Sequence, residues 1–309
     1  MKKERVLPTA EAHEAGATKR PKFRAMRRGI ACLGGVCGLS LLPPSPGLAA
    51  CPCNTVQSGP LCVDKYEASI WETKDPKLIE QIKQGTVCSP PKGAIQKGVG
   101  SADYAQCNTD NGANCTGIFA LSLPGVNPAT AANWFIAAAA CRNSGKRLLT
   151  NGEWQAAALG TPDPWPQPPV GPGQPNPWCN VGSGVLAKTG TRSKCFSDVG
   201  AYDMVGNVIE WVQDWGPLAT AASNWGKWSH NFGKDMSHMG GGPPPSPPAT
   251  PLASFEQYGL PGGTTRGGSF GKTPSSGGFL EGAGVYEIDQ SGLPASYGDM
   301  SATGFRCGR

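Results

Sequence analysis

Residues 61–72 (LCVDKYEASIWE) alternate apolar and polar positions, which predicts a strand with Val63, Tyr66 and Ile70 facing inward. Periodicity then fades. Residues 73–127 read as a long loop, held by Cys88, Cys107 and Cys115. A helix is predicted over 128–144, with Asn127 as N-cap, Pro128 in the first turn, an Ala-rich body and Gly145 as the stop. A second helix begins at Thr150, whose spacing to Glu153 matches a capping box, and runs through Trp154 to Gly160. Residues 161–178 and 241–251 are too rich in proline for regular structure. Short strands are expected near 208–214, 264–270 and 303–307, and no internal repeat is present. The expectation is α+β, one domain over 51–309 with two main helices, few short strands and long loops at 73–127, 161–178 and 230–251.

Composition supports that picture. With 44 Gly and 30 Pro among 309 residues, the chain holds about twice the usual share of turn formers, which disfavours a helical bundle. The net charge of +5 misleads. Residues 1–50 carry nine basic and three acidic residues, leaving 18 basic and 19 acidic in the remainder. The nearly neutral remainder lacks the electrostatic footprint of a nucleic-acid groove.

The basic stretch at 24–28 precedes an apolar run at 30–42, which is of signal-peptide length and too short for an ordinary membrane span. The sequence Leu48-Ala49-Ala50-Cys51 then fits two fates: a bacterial lipoprotein box with Cys51 lipidated, or plain cleavage after Ala50. Either way the chain is expected outside the cytoplasm, as a cell-envelope lipoprotein or a secreted or periplasmic protein. A lipid anchor would be its membrane contact. Ten cysteines follow the leader, enough for up to five disulfides in an exported chain.

Five short blocks occur in order: Cys62-Val-Asp-Lys-Tyr-Glu67; Asn133-Trp134 through Cys141, Lys146-Arg147-Leu148 and Glu153-Trp154 to Ala158; Tyr202-Asp203-Met-Val-Gly206-Asn207-Val208-Ile-Glu210-Trp211; Arg266-Gly-Gly-Ser-Phe270; and Gly304-Phe-Arg-Cys307. Together they resemble the formylglycine-generating enzyme (sulfatase-modifying factor) family. The resemblance implies an irregular, loop-rich variant of the C-type-lectin-like fold. It implies a calcium site from the side chains of Asp203 and Glu210 with the carbonyls of Gly206 and Val208, a chemistry suited to an oxygen-loving ion. A second calcium site would use Asn180 and the Val181 carbonyl, its other ligands falling in a shortened segment, 184–198. The alternative for the first set is that Asn207 and Glu210 only brace the loop around Trp211. The resemblance also implies a Cys141–Cys307 bridge. Cys179 and Cys195, which bracket the shortened segment, are a second proposed pair.

Enzymes of this family oxidise a substrate cysteine to formylglycine with O₂, using two cysteines just beyond the Arg-Gly-Gly-Ser-aromatic block to hold Cu(I), since soft thiolates select that ion. The corresponding positions here are Lys272 and Gly277, and no cysteine lies between 195 and 307. Lysine is a hard cation and a poor copper ligand. His230, Met236, His238 and Met239 cluster in a Gly-rich loop and offer soft ligands, but their spacing matches no metal motif, so copper is not expected there. Residues 271–303 are small and polar, punctuated by Phe279, Tyr286 and Tyr297. With Lys272 these form a candidate face for a peptide, glycan or protein ligand. Related lectin-like proteins of diversity-generating retroelements vary this segment and are often Asn-rich there, whereas this segment contains no Asn. A plain loop over the core is the competing reading of the segment. The expectation is an exported, calcium-braced binding module without formylglycine-generating activity, with an oxidase or protein-modifying enzyme of altered chemistry as the alternative.

Overall fold

Among the described residues of this computed structural model, ten strands and three helices lie between Thr55 and Arg266 and three more strands follow. It describes residues 50–98, 103–104, 107, 115–163, 175–217, 225–227, 236–238, 261–271, 283–292 and 302–309. The strand predicted over 61–72 is two strands in different sheets, β2 (Leu61–Asp64), which pairs with β1 (Thr55–Ser58), and β3 (Ala68–Glu72). Glu67, at the break between the two strands, is fully buried. Val63 and Ile70 are fully buried and Tyr66 is half-buried.

Residues 73–127 are not the patternless loop expected from sequence. They contain α1 (Pro76–Gln84), β4 (Ile95–Lys97) and β5 (Ile118–Ser122). Asp75 caps α1 by accepting the Lys77 N–H at 2.9 Å, Pro76 fits its first turn, and Leu78 and Ile82 face Phe119 and Leu121. Nine residues are too few for the period to stand out beside three cysteines and four prolines.

Helix α2 (Trp134–Asn143) starts six residues later than predicted, with Asn133 as N-cap. The tertiary structure claims the intervening backbone: Ala129 N–H donates to the Ala68 carbonyl and Thr130 N–H to Gly98. After β6 (Arg147–Leu148), α3 (Asn151–Ala158) opens on the capping box read from sequence, with Thr150 and Glu153 exchanging bonds of 2.8 and 3.2 Å.

Arg147 adds two 2.7 Å bonds to the Glu153 carboxylate, holding its pKa down at about 2 against the usual 4.5. That contribution is present above pH 4.5 and is lost as pH falls from 4.5 towards 2. The side chain is 30% exposed, so solvent screening limits its worth. Glu153→Gln should cost about 1 kcal/mol at neutral pH in urea unfolding. The gap to wild type should close as pH approaches 2, and a gap independent of pH would contradict the assignment.

The remaining strands are β7 (Ile209–Pro217), β8 (Trp225–Lys227), β9 (Met236–His238), β10 (Pro261–Arg266), β11 (Ile288–Gly292), β12 (Thr303–Phe305) and β13 (Cys307–Gly308). They complete sheets of order β1-β2-β13-β6, β12-β7-β10-β11-β9-β8 and β4-β3-β5. The last strand element therefore joins two sheets through a single residue, Arg306. Leu48–Arg309 form one compact unit. The core packs α2 against β3, β5 and β7 through Ile70, Ile118, Ile136, Trp211 and Phe305. A second cluster gathers Val63, Leu149, Trp154, Met204 and Val212. Among the described residues no helix is long and apolar enough to cross a membrane.

All ten cysteines after residue 50 are bonded: Cys51–Cys62, Cys53–Cys88, Cys107–Cys115, Cys141–Cys307 and Cys179–Cys195. Cys51, the candidate lipidation position, is bonded to Cys62 in this arrangement.

Candidate functional site

Strand register assembles a buried polar centre. Parallel pairing of β12 with β7 sets Gly304 opposite Glu210 and Phe305 opposite Trp211, while antiparallel β10 sets Arg266 opposite Glu210. A side chain on Gly304 would meet the Ala129 carbonyl at 2.5 Å, so this close approach requires glycine. Arg306 follows directly. Its Nη2 donates to Glu210 Oε1 at 2.8 Å and to the Tyr202 carbonyl at 2.7 Å, its Nε contacts both Glu210 oxygens at 3.1 and 3.2 Å, and its Nη1 reaches the Asp64 carbonyl at 2.8 Å. Trp154 Nε1 donates to Glu210 Oε2 at 2.7 Å. The Arg266 guanidinium lies 4.7 Å over the Trp154 ring and donates to Gln155 and the Val285 carbonyl.

Beside this pair, Asn207 acts as a hub. Its φ of +60° turns the backbone sharply, and its side-chain amide donates to Glu67 Oε2 at 2.6 Å and to the Ala187 carbonyl at 3.1 Å. Its Oδ1 accepts from Asn180 Nδ2 and the Ala187 N–H, both at 2.9 Å. The Val208 N–H closes onto Glu67 Oε1 at 3.0 Å. Gly206, at φ +75°, packs so closely on Asn180 that a Cβ would lie 2.6 Å from its carbonyl.

Four carboxylates are buried here or nearby: Asp64, Glu67, Asp203 and Glu210. Lys146 pairs with Asp64 at 2.8 Å and Arg306 with Glu210. Burial pushes the Glu67 carboxyl well above the usual range, and the charges of Asp203 and Glu210 add to this. Burial likewise raises Asp203 to about 6, opposed by a 2.6 Å bond from the Gly190 N–H.

The residues expected to hold calcium do not fit it in this arrangement. Calcium takes six to eight oxygens. Both oxygens of Glu210 accept bonds from Arg306 and Trp154, and its charge is already paired with a buried guanidinium, so it offers a divalent ion little net negative charge. In this arrangement Glu210 is bonded to Arg306 and Trp154, and Asn207 to Glu67, Asn180 and Ala187, beside the buried Trp211. In the second set Asn180 Oδ1 accepts from Arg192 Nη2 at 2.8 Å. Among the described residues, no three His, Cys, Asp or Glu side chains are grouped so as to hold a metal.

Other expected residues divide simply. Lys272, Gly277, Phe279, Tyr297, His230 and Met239 lie outside the described residues. Met236 and His238 form the two ends of β9, and Tyr286 is half-buried just before β11. Sequence reading gave no role to Glu67, Arg192 or Arg306. The available signal was Arg306 itself, a charge between apolar Phe305 and Cys307 in a strand-like segment.

No curated protein matches the chain. Similar solved structures include the Major Tropism Determinant P3c Variant, at 15% identity over 82% of this chain and 52% of that one, with a TM-score of 0.42. CarF matches at 17% over 81% and 85%, with a TM-score of 0.35. Treponema denticola variable protein 1 matches at 17% over 82% and 97%, with a TM-score of 0.34. The chain spans about half the length of the Major Tropism Determinant structure. The family described as the sulfatase-modifying factor enzyme 1-like domain matches residues 58–309, most of the chain, and the chain belongs to that family.

Proposed function

We propose that this protein is an exported binding module of the family that does not generate formylglycine. One observation carries the reading: among the described residues no cysteine is left as a free thiol to offer copper. Lys272 and Gly277 stand at the family's thiol positions, and every cysteine after the leader is held in a disulfide. Cu(I) held by two protein thiolates is the element that binds the substrate thiolate in the family reaction, and a disulfide sulfur cannot supply it. Five disulfides also support an oxidising compartment and hence export. Ion pairs and bridges brace the core, leaving residues 271–303 as the contact face. Its Tyr, Ser, Asp and Glu side chains suit a peptide, glycan or protein ligand.

The test is turnover. The purified chain, supplied with Cu(I) and O₂, should leave a Cys-x-Pro-x-Arg peptide unchanged in mass, and thiol labelling of the unfolded, unreduced chain should find no free cysteine. Conversion of the peptide cysteine to formylglycine would overturn the reading.

A further inference from the structure

We propose that the Arg192 guanidinium takes the place of the second calcium ion, so that this corner of the fold is braced by an internal cation and is indifferent to calcium. The argument begins with Asn180, which is buried. Its amide nitrogen donates to the Val185 carbonyl at 3.0 Å and to Asn207 Oδ1 at 2.9 Å, which fixes the orientation of the group and aims Oδ1 the other way. Arg192 meets that oxygen with Nη2 at 2.8 Å and gives Nη1 to the Asn176 carbonyl at 2.7 Å. A planar fork thus binds two oxygens from one short stretch of chain, the kind of oxygen set that a bound cation would take.

The loop is built for this partner. Cys179 and Cys195 are bonded, placing Asn180 and Arg192 just inside the two ends of one covalent ring. Lys194 N–H donates to the Pro177 carbonyl at 2.9 Å, which closes the ring's base. Charge points the same way. Residues 184–198 contain Lys188, Arg192 and Lys194 against one carboxylate, Asp198. That carboxylate packs against Gly160 at the exit of α3, so closely that a Cβ there would clash with it. A segment with two excess positive charges repels a divalent cation and supplies it no anionic ligand. The buried Asp203 carboxylate instead acts on Arg192 itself, its charge favouring the protonated guanidinium that burial disfavours. Arg192 thus meets the Asn180 oxygen of the second expected set directly.

Thermal unfolding of the purified chain in calcium chloride and in EGTA tests this. The expected melting temperatures agree within about 1 °C, and Arg192→Ala falls by about 4–8 °C in both buffers because it leaves the Asn180 oxygen and the Asn176 carbonyl without their donor. Calcium raising the wild-type melting temperature by several degrees, with the rise lost in Asn180→Ala, would overturn the proposal. So would an Arg192→Ala chain as stable as wild type. If Arg192→Ala does not fold, the wild-type comparison in the two buffers decides alone.

Discussion

Replacing Arg306 by Met should lower stability by about 3–5 kcal/mol, which at this chain length is a fall of about 10 °C or more in melting temperature. The guanidinium is fully buried, and its removal leaves the Glu210 carboxylate with Trp154 Nε1 alone while the Asp64 and Tyr202 carbonyls lose their donor. The pair as such need not be strongly stabilising, because desolvating two charges offsets much of their attraction; the loss comes from stranding one of them. Two companions separate these contributions. Arg306→Lys should recover only part of the loss, since one ammonium cannot reproduce three directed nitrogens aimed at a carboxylate and two carbonyls. Glu210→Gln combined with Arg306→Met should cost clearly less than the sum of the two single changes. Additive costs, or a fall below 2 °C for Arg306→Met, would show that Arg306 is not the brace.

The second large effect concerns covalent bracing. The Cys141–Cys307 bridge joins α2 to β13 across 166 residues, and in the chain-entropy account its ceiling is about 5 kcal/mol. Cys107–Cys115 spans eight residues, with a ceiling of about 2.5 kcal/mol. Replacing Cys141 and Cys307 with Ala should therefore lower the urea midpoint more than replacing Cys107 and Cys115. Both sulfurs of the long bridge are fully buried, so some packing is lost as well. Equal midpoints for the two double variants would refute the ordering. The long bridge also fixes Arg306, the neighbour of Cys307, and so couples covalent bracing to the ion pair beside it.

Several local features were legible because their physics is local. The capping box at Thr150 and Glu153 needs three residues and appears as read. The strands at 208–214, 264–270 and 303–307 carry apolar or β-forming residues, and strands lie at each place within a few residues. Other expectations failed where distant partners intervened. Asn127 is a sound N-cap on paper, yet Ala68 and Gly98 claim the backbone that follows it, and Asn133 caps the helix instead. Helix α1 was invisible because its apolar face is only Leu78 and Ile82, and β5, which covers it, lies 36 residues further on.

The sequence by itself determined the family, the absence of thiols at Lys272 and Gly277, and a near-neutral, cysteine-rich body suited to a lectin-like α+β fold. These are properties of residue identity and order. Only the tertiary structure decided what the charged residues do. Glu67 and Arg306 are 239 positions apart, Asn180 and Arg192 are joined through a disulfide ring, and Cys51 bonds Cys62. A carboxylate becomes a metal ligand or half of an ion pair according to which partner the folded chain brings to it, and strand register places Arg306 on Glu210.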